Sequence, residues 1–278
     1  VISDDKPLIK HTPLAASNVT KYLTQWTMDD VESVGLLKID FLGIRYLTMV
    51  SNIVEQIKKD NPSFDITKIN YADQKVYNLF TQGRTEGIFQ FESSGMKEKL
   101  RLLRPTEFND IVAMNALYRP GPMAQIETYV RRKHGEEKVV YPHPHLEKIL
   151  RDTYGVIVYQ EQIMLIAVNF AHMSLNEADN MRRAVSKKKK EDLEYYGRIF
   201  IEKSVAAGYD LNIAKKLFDL IVTFANYGFN KSHAVVYSML AYRLAYLKVY
   251  YTKYFMTALL NNVISSEKKI NEYKQELN

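Results

Sequence analysis

Ser174-Leu175-Asn176-Glu177-Ala178-Asp179-Asn180-Met181-Arg182-Arg183-Ala184-Val185-Ser186-Lys187 decides the fold class, because a helix start, an apolar stripe and a charged face coincide in it. Serine followed three residues later by glutamate is a capping box: each side chain serves the other's orphan backbone N–H. Leu175, Ala178, Met181 and Val185 then recur at helical spacing, which turns Met181 and Val185 toward a core. The spacing predicts a helix over 175–189. The same periodicity extends outward on both sides. Downstream it predicts helices over 193–207, 213–224, 232–250 and 254–264. Upstream it predicts 44–59, stopped by Asn61-Pro62, and 94–103, closed by Arg104-Pro105. A helix starting at Thr106 ends before Arg119-Pro120-Gly121-Pro122, and another covers 123–134. Strand signals are few: 36–43, 87–91 and the strand-like interruption 156–159. The fold class is mainly α with a few short strands, an α+β chain. A small strand-containing head, residues 1–45, precedes a large α body, residues 46–278. The first sixteen residues, with Pro7 and Pro13, read as an extended lead-in.

Composition supports a folded chain. Of 278 residues, 46% are hydrophobic and 25% charged, which is ordinary globular usage. The net charge of +6 leans toward a polyanionic partner. There is no cysteine, so disulfides and thiolate metal sites are excluded, and a reducing compartment fits. No apolar run approaches the ~18–20 residues that span a bilayer, so no membrane partner is expected. No signal-like apolar segment follows Val1. A chain opening at Val1 and closing on Glu276-Leu277-Asn278 reads as cut from something longer.

Four clusters could carry chemistry. In Leu36-Leu37-Lys38-Ile39-Asp40-Phe41-Leu42-Gly43, read as a buried strand, Lys38 and Asp40 are two apart and share a face. They form either a buried ion pair or part of a Mg²⁺ site, since Mg²⁺ takes one or two carboxylates together with substrate phosphates. No second acid stands nearby in a matching strand pattern. The second cluster, residues 182–190, places six positive charges in nine positions. Lys188 to Lys190 read as a solvated tip. Arg182 and Arg183 sit inside the capped helix, pointing ~100° apart, and so could hold a phosphate chain from two sides. Arg183 and Lys187 are i,i+4 neighbours, and Arg182 aligns with Ser186.

The third cluster, Tyr227-Gly228-Phe229-Asn230-Lys231-Ser232-His233, joins two helices. It is either a well-capped turn, with Gly228 closing one helix and Ser232 opening the next, or an anion seat with Lys231 beside it. Tyr227 and Phe229 serve packing or base stacking. The fourth, around Arg119 in its Pro/Gly corner, is a rigid bend with an exposed arginine that could meet a phosphate. His143 and His145 form an H-x-H pair, but flanking prolines and the lack of a partner acid argue against zinc. No Walker or dinucleotide glycine loop is present.

Taken together, these segments resemble the alpha subunits of bacterial DNA polymerase III, the C-family replicative DNA polymerases. The resemblance lies in Gly35 to Gly43, Gly87 to Met96, Asn115 to Pro122, Tyr154 to Met164, Ala178 to Lys189 and Phe224 to Ser238, and it covers nearly the whole chain. It implies that residues 1–45 are the end of a palm like that of DNA polymerase beta, and that 46–278 are most of a helical fingers domain. Asp40 falls on the third of three catalytic aspartates that hold two Mg²⁺ ions, with Lys38 the basic residue beside it. Arg182 and Arg183 match fingers residues that approach the incoming dNTP; Asn230, Lys231, Ser232 and His233 match a segment lining the same pocket. Arg119, Lys187 and Lys188 are expected to contact DNA. The implied reaction is attack of a primer 3′-hydroxyl on the dNTP α-phosphate with loss of pyrophosphate. The implied partners are primer-template DNA, dNTP and, in the intact protein, a sliding clamp. The implied location is the bacterial cytoplasm. With one metal-binding aspartate of three in the chain, the chain alone is expected to be inactive. Two rival readings are an autonomous helical nucleic-acid-binding module and an interaction protein whose basic helix docks an acidic partner. Neither needs the Lys38–Asp40 pair.

Overall fold

The computed structural model describes residues 1–3, 6–39, 43–187, 190–225 and 227–275, without the side chains of 187, 190, 225 and 275. The chain divides into two units, Val1–Arg45 and Tyr46–Asn278.

In the first unit, β1 (Leu14–Ala16) and β2 (Tyr22–Thr24) pair antiparallel, with Leu14 opposite Thr24 and Ala16 opposite Tyr22. The extended lead-in thus ends in a hairpin that its sequence did not announce. The helix α1 (Met28–Ser33) follows, capped by the Thr27 hydroxyl, which accepts from Asp30 N–H. The expected buried strand over 36–43 does not form among the described residues. Leu36 is buried, but Leu37 makes a single antiparallel bridge to Ile2 and is 60% exposed, and Ile39 is exposed too. An apolar run buries as a strand only where a sheet supplies neighbours and both faces are covered. Residues 40–42, including Asp40, lie outside the described residues.

The second unit is helical throughout: α2 (Arg45–Asp60), α3 (Gln74–Gln82), α4 (Ser94–Leu103), α5 (Phe108–Leu117), α6 (Ile126–Lys133), α7 (Glu147–Leu150), α8 (Gln160–Ala171), α9 (Leu175–Lys187), α10 (Lys190–Ala206), α11 (Leu211–Ala225), α12 (Lys231–Tyr250), α13 (Thr252–Asn262) and α14 (Glu267–Gln275). Most expected helices appear within a few residues. The stretch 123–134 splits into a 3₁₀ turn at Pro122–Gln125 and α6, since proline suits the first turn of such a helix. The expected helices do not include α3, α7, α8 or α14, although α3 carries a clear stripe in Val76, Tyr77, Leu79 and Phe80. In α8, Gln162, Ile163, Ile166, Ala167, Phe170 and Ala171 form one buried face, but Met164, Leu165 and Val168 make the opposite side apolar too, so a one-sided period is weak.

Two packing groups organise the unit. Around α12, which packs on α3, α5 and α13, Leu240 to Tyr242, Leu244, Ala245, Leu247 and Lys248 bury well over half of the helix surface, leaving Arg243 and Tyr246 half-buried. Tyr242 stacks on Tyr71 at 4.9 Å; its hydroxyl donates to the Asn70 carbonyl (2.9 Å) and accepts from Asp73 N–H (3.1 Å). Buried Lys248 donates its Nζ to the carbonyls of Arg84 (2.8 Å) and Glu86 (2.9 Å). Those bonds hold a run of turns where a strand over 87–91 was expected. Ile88 N–H bonds the Thr85 carbonyl, Phe91 N–H bonds the Ile88 carbonyl, and Gln90 sits at φ 65°. Ile88 and Phe91 are both fully buried, three apart, as successive turns allow and strand alternation does not. Gly87 has φ +75°, and a Cβ there would lie 2.6 Å from the Leu259 side chain, so the corner requires glycine.

The second group, α8 to α11, shares one core that includes Phe170, Met181, Val185, Phe200 and Ile221. The capping box of α9 forms as expected: Ser174 N–H donates to Glu177 Oε2 (2.8 Å), and Glu177 N–H to Ser174 Oγ (3.2 Å). The Lys203 ammonium on α10 donates to both Glu177 oxygens (2.8 and 2.9 Å). The Lys203 bond first, and the Ser174 bonds next, hold the Glu177 carboxyl down to about 2. That lies below its unfolded value of ~4.3, so its contribution to stability is complete above that value. It is lost as pH falls from there toward 2. We expect Glu177→Gln to lower Tm at neutral pH and to flatten the fall of Tm between about pH 4.3 and 2, read by thermal melts across that window. Parallel wild-type and variant curves would refute it.

Candidate functional site

The site is assembled on a buried extended segment, 156–159. Gln162, on the first turn of α8, holds that segment from below. Its Oε1 accepts from Val158 N–H (2.9 Å) and Tyr159 N–H (3.0 Å), and its Nε2 donates to the Ile149 carbonyl (3.2 Å) and Thr153 Oγ1 (2.8 Å). The strand-like interruption expected here therefore exists, but as a single parallel bridge. Phe229 N–H donates to the Val158 carbonyl (3.0 Å), and Gln160 N–H to the Phe229 carbonyl (2.9 Å). That bridge sets the turn before α12 against the start of α8.

Asn230 is the cap of α12: its Oδ1 accepts from His233 N–H at 2.8 Å. Ser232, expected to cap, lies inside the first turn and is exposed. The helix begins two residues earlier than that reading required, because Asn230 holds the extended backbone an N-cap needs. The anticipated anion seat is already filled from within the chain. Both Glu161 oxygens accept from Lys231 N–H (3.0 and 2.9 Å). The Lys231 ammonium lies over the Tyr159 ring, 5.3 Å from its centre. His233 stacks on Tyr237 (4.0 Å) and meets the edge of Phe229.

Arg119 is half-buried rather than exposed. It donates from Nε to the Ala116 carbonyl (3.0 Å) and from a terminal nitrogen to the Tyr227 carbonyl (3.0 Å), with its guanidinium 4.1 Å from the Phe229 ring centre. Its corner closes on the same turn: Gly121, at φ +101°, lies so near Tyr227 that an added Cβ would come within 2.3 Å of the ring.

On α9, Met181 and Val185 are fully buried, which turns the two arginines outward. Arg182 donates from Nε (2.9 Å) and NH2 (2.7 Å) to Asp179 Oδ1, and from NH1 to Gln160 Oε1 (3.3 Å). Arg183 meets Asp179 Oδ2 at 2.6 Å. The Arg182 side chain is 20% exposed and that of Arg183 56%. The Arg182 hydrogen bond, then the charges of both arginines, hold the Asp179 carboxyl below the usual range. Ser186 does align with Arg182, its hydroxyl donating to the Arg182 carbonyl (2.9 Å).

Of the expected site residues, Arg119, Arg182, Asn230, Lys231 and His233 thus converge through Tyr159, Gln160, Glu161 and Phe229, with Arg183 beside them on Asp179. Lys187 is described only as the last backbone position of α9, and Lys188 lies outside the described residues. Lys38 belongs to the other unit, where its ammonium donates to the Met28 sulfur (3.3 Å). The residues missed were Gln160, Glu161 and Asp179. For Asp179 the signal was present, since it precedes the arginines by three and four positions on one helix. For the α8 pair there was none, because they reach the site across the tertiary fold. His143 and His145 pack edge to face at 4.9 Å, with His145 Nδ1 2.7 Å from the Tyr209 hydroxyl. Among the described residues no group of three His, Cys, Asp or Glu could hold a metal ion.

Arg182, Arg183 and Lys231 gather on an α-helical platform, which defines the class as a helical protein with a basic cluster on its surface. The comparisons narrow that class. The family model for the bacterial DNA polymerase III alpha subunit finger domain matches residues 46–208, and that for the bacterial DNA polymerase III alpha NTPase domain matches 1–43. The chain belongs to the bacterial DNA polymerase III alpha subunit family, as its motifs implied. It is 52% identical over 99% of its length to DNA polymerase III subunit alpha of Staphylococcus aureus (strain COL), covering 26% of that protein. It is equally 52% identical over 99% of its length to the Bacillus subtilis (strain 168) protein, of which it covers 25%. The chain therefore spans about a quarter of the length of the relatives it matches. No helix among its described residues is long and apolar enough to cross a membrane.

Proposed function

We propose that this chain is the nucleotide-facing part of a DNA-directed DNA polymerase, residues 1–45 ending its palm and 46–278 forming most of its fingers. The observation that carries the reading is the arginine pair on α9, braced from the core and adjoining the capped start of α12. There Arg182 and Arg183 take the phosphates of an incoming dNTP, and Lys231, Ser232 and His233 border the same pocket. Asn230 holds the α12 start in place. Arg119 serves as a brace between the α5 corner and the 227–229 turn, since its Nε, one terminal nitrogen and its guanidinium face are engaged within the chain. Primer-template DNA is the second partner, met by the basic end of α9 with Lys187 and Lys188; a sliding clamp acts on the longer polypeptide. Asp40 is the one carboxylate that the chain brings to a Mg²⁺ pair, and family membership supports this. A metal pair would stabilise the attacking and leaving oxygens of nucleotidyl transfer.

Titrating the chain with a dNTP tests the reading: saturable binding should weaken in Arg183→Ala and Arg182→Ala while duplex affinity stays nearly constant. Binding of a dNTP unchanged in both variants would refute the site. Duplex DNA should bind without sequence preference, with log K falling against log salt by ~0.9 per phosphate neutralised. Labelled duplexes of two sequences at two salt concentrations measure this. Affinity indifferent to salt, or a strong preference between the two sequences, would contradict a fingers role.

A further inference from the structure

We propose that Asp179 is a positioning residue that sets how tightly the arginine pair takes a polyphosphate, holding both guanidiniums together and yielding Arg183 to the incoming phosphates. The inference rests on the reading of Arg182 and Arg183 as phosphate ligands.

The two arginines are held unequally. Asp179 Oδ1 takes two N–H groups of Arg182, whose third bond runs to Gln160 Oε1. A guanidinium has five N–H groups, so most of Arg182's donors are engaged within the chain, and its side chain is only 20% exposed. The main chain of Gln160 is fixed in place, its N–H bonded to the Phe229 carbonyl. Arg183 is 56% exposed, and its ion pair with Asp179 Oδ2 is the contact that the described residues show for it. Exposed ion pairs are weak, worth ~1 kcal/mol or less, whereas a polyphosphate offers several charged acceptors in the spacing a guanidinium fork prefers. Arg183 is thus the member that a phosphate chain draws away. Arg182, retained by Gln160, stays as the fixed half of the clamp. Until then Asp179 competes for the same donors and sits against the same anion.

Asp179 is the partner that the described residues show for Arg183, so the competition should be visible as a coupling between the two side chains. Inorganic tripolyphosphate is the probe, titrated calorimetrically into the 278-residue chain, with a thermal melt for every variant. Asp179→Asn should tighten binding about three- to fivefold, the scale of one exposed ion pair released. Glu202→Gln, an exposed carboxylate on α10 carrying the same change in net charge, should shift affinity less than about twofold. In an Arg183→Ala background the gain from Asp179→Asn should vanish, since the competition then has no object. If Asp179→Asn melts early, Asp179→Ala replaces it with the same expectation. The proposal is overturned if neutralising Asp179 weakens binding, if Glu202→Gln matches its gain, or if the gain survives without Arg183. Should Arg183→Ala alone leave tripolyphosphate affinity at the wild-type level, the phosphate reading of the arginines falls instead, whatever Asp179 does.

Discussion

Arg183→Ala should slow template-directed incorporation about ten- to a hundredfold in a polymerase carrying this chain, with primer-template affinity little changed. A charge-assisted arginine–phosphate contact is worth roughly 1.5–3 kcal/mol, and each ~1.4 kcal/mol is a factor of ten. Arg183 reaches solvent with most of its donors available, so the whole of that contact is at stake. The loss appears in the dNTP KM if the contact is equal in substrate and transition state, and in kcat if charge grows at the leaving phosphates. Arg182→Ala should cost about as much, with a fall in Tm besides, because its side chain also ties α9 to Gln160 on α8. Lysine should restore only part of either loss, lacking the planar fork. Lys189→Ala and Lys190→Ala, in the basic run beyond α9, should leave incorporation nearly unchanged. Steady-state kinetics at varied dNTP decide the matter. Arginine variants with normal dNTP kinetics and lost DNA affinity would show that these residues grip the duplex instead.

Gln162→Leu should destabilise the chain by about 3–5 kcal/mol although leucine nearly matches the glutamine's size. The change strands two buried donors, Val158 N–H and Tyr159 N–H, and removes the partner of the Ile149 carbonyl. A buried group left unpaired costs roughly 1–3 kcal/mol. Thr153 suffers less, since its hydroxyl also donates to the Leu150 and Val156 carbonyls. The effect should reach the site, because Val158 and Tyr159 carry the bridge that seats Phe229 and the start of α12. Denaturant unfolding measures the stability, and tripolyphosphate titration of the folded variant measures the site. A midpoint within error of wild type would mean that the 156–159 segment is held by packing alone.

How far such features are legible depends on whether their cause is local. The start of α9 was legible because serine and glutamate three apart satisfy each other's backbone without help from elsewhere, and its buried face because Met181 and Val185 recur at the helical period. Asp179 was legible too, being a helical neighbour of both arginines. The turns at 87–91 were not: a short apolar run fits a strand as well as a buried turn, and Lys248, far along the chain, settles which. For 36–43 the missing piece was a sheet to cover the run. Family membership and helical class thus follow from the sequence by itself, since both are carried by contiguous residues with local spacing. Only the tertiary structure put Glu161 on the Lys231 amide, Gln160 on Arg182 and Arg119 on the 227–229 turn. Those contacts join helices distant in the chain, and their formation depends on which faces the buried core has already turned toward one another.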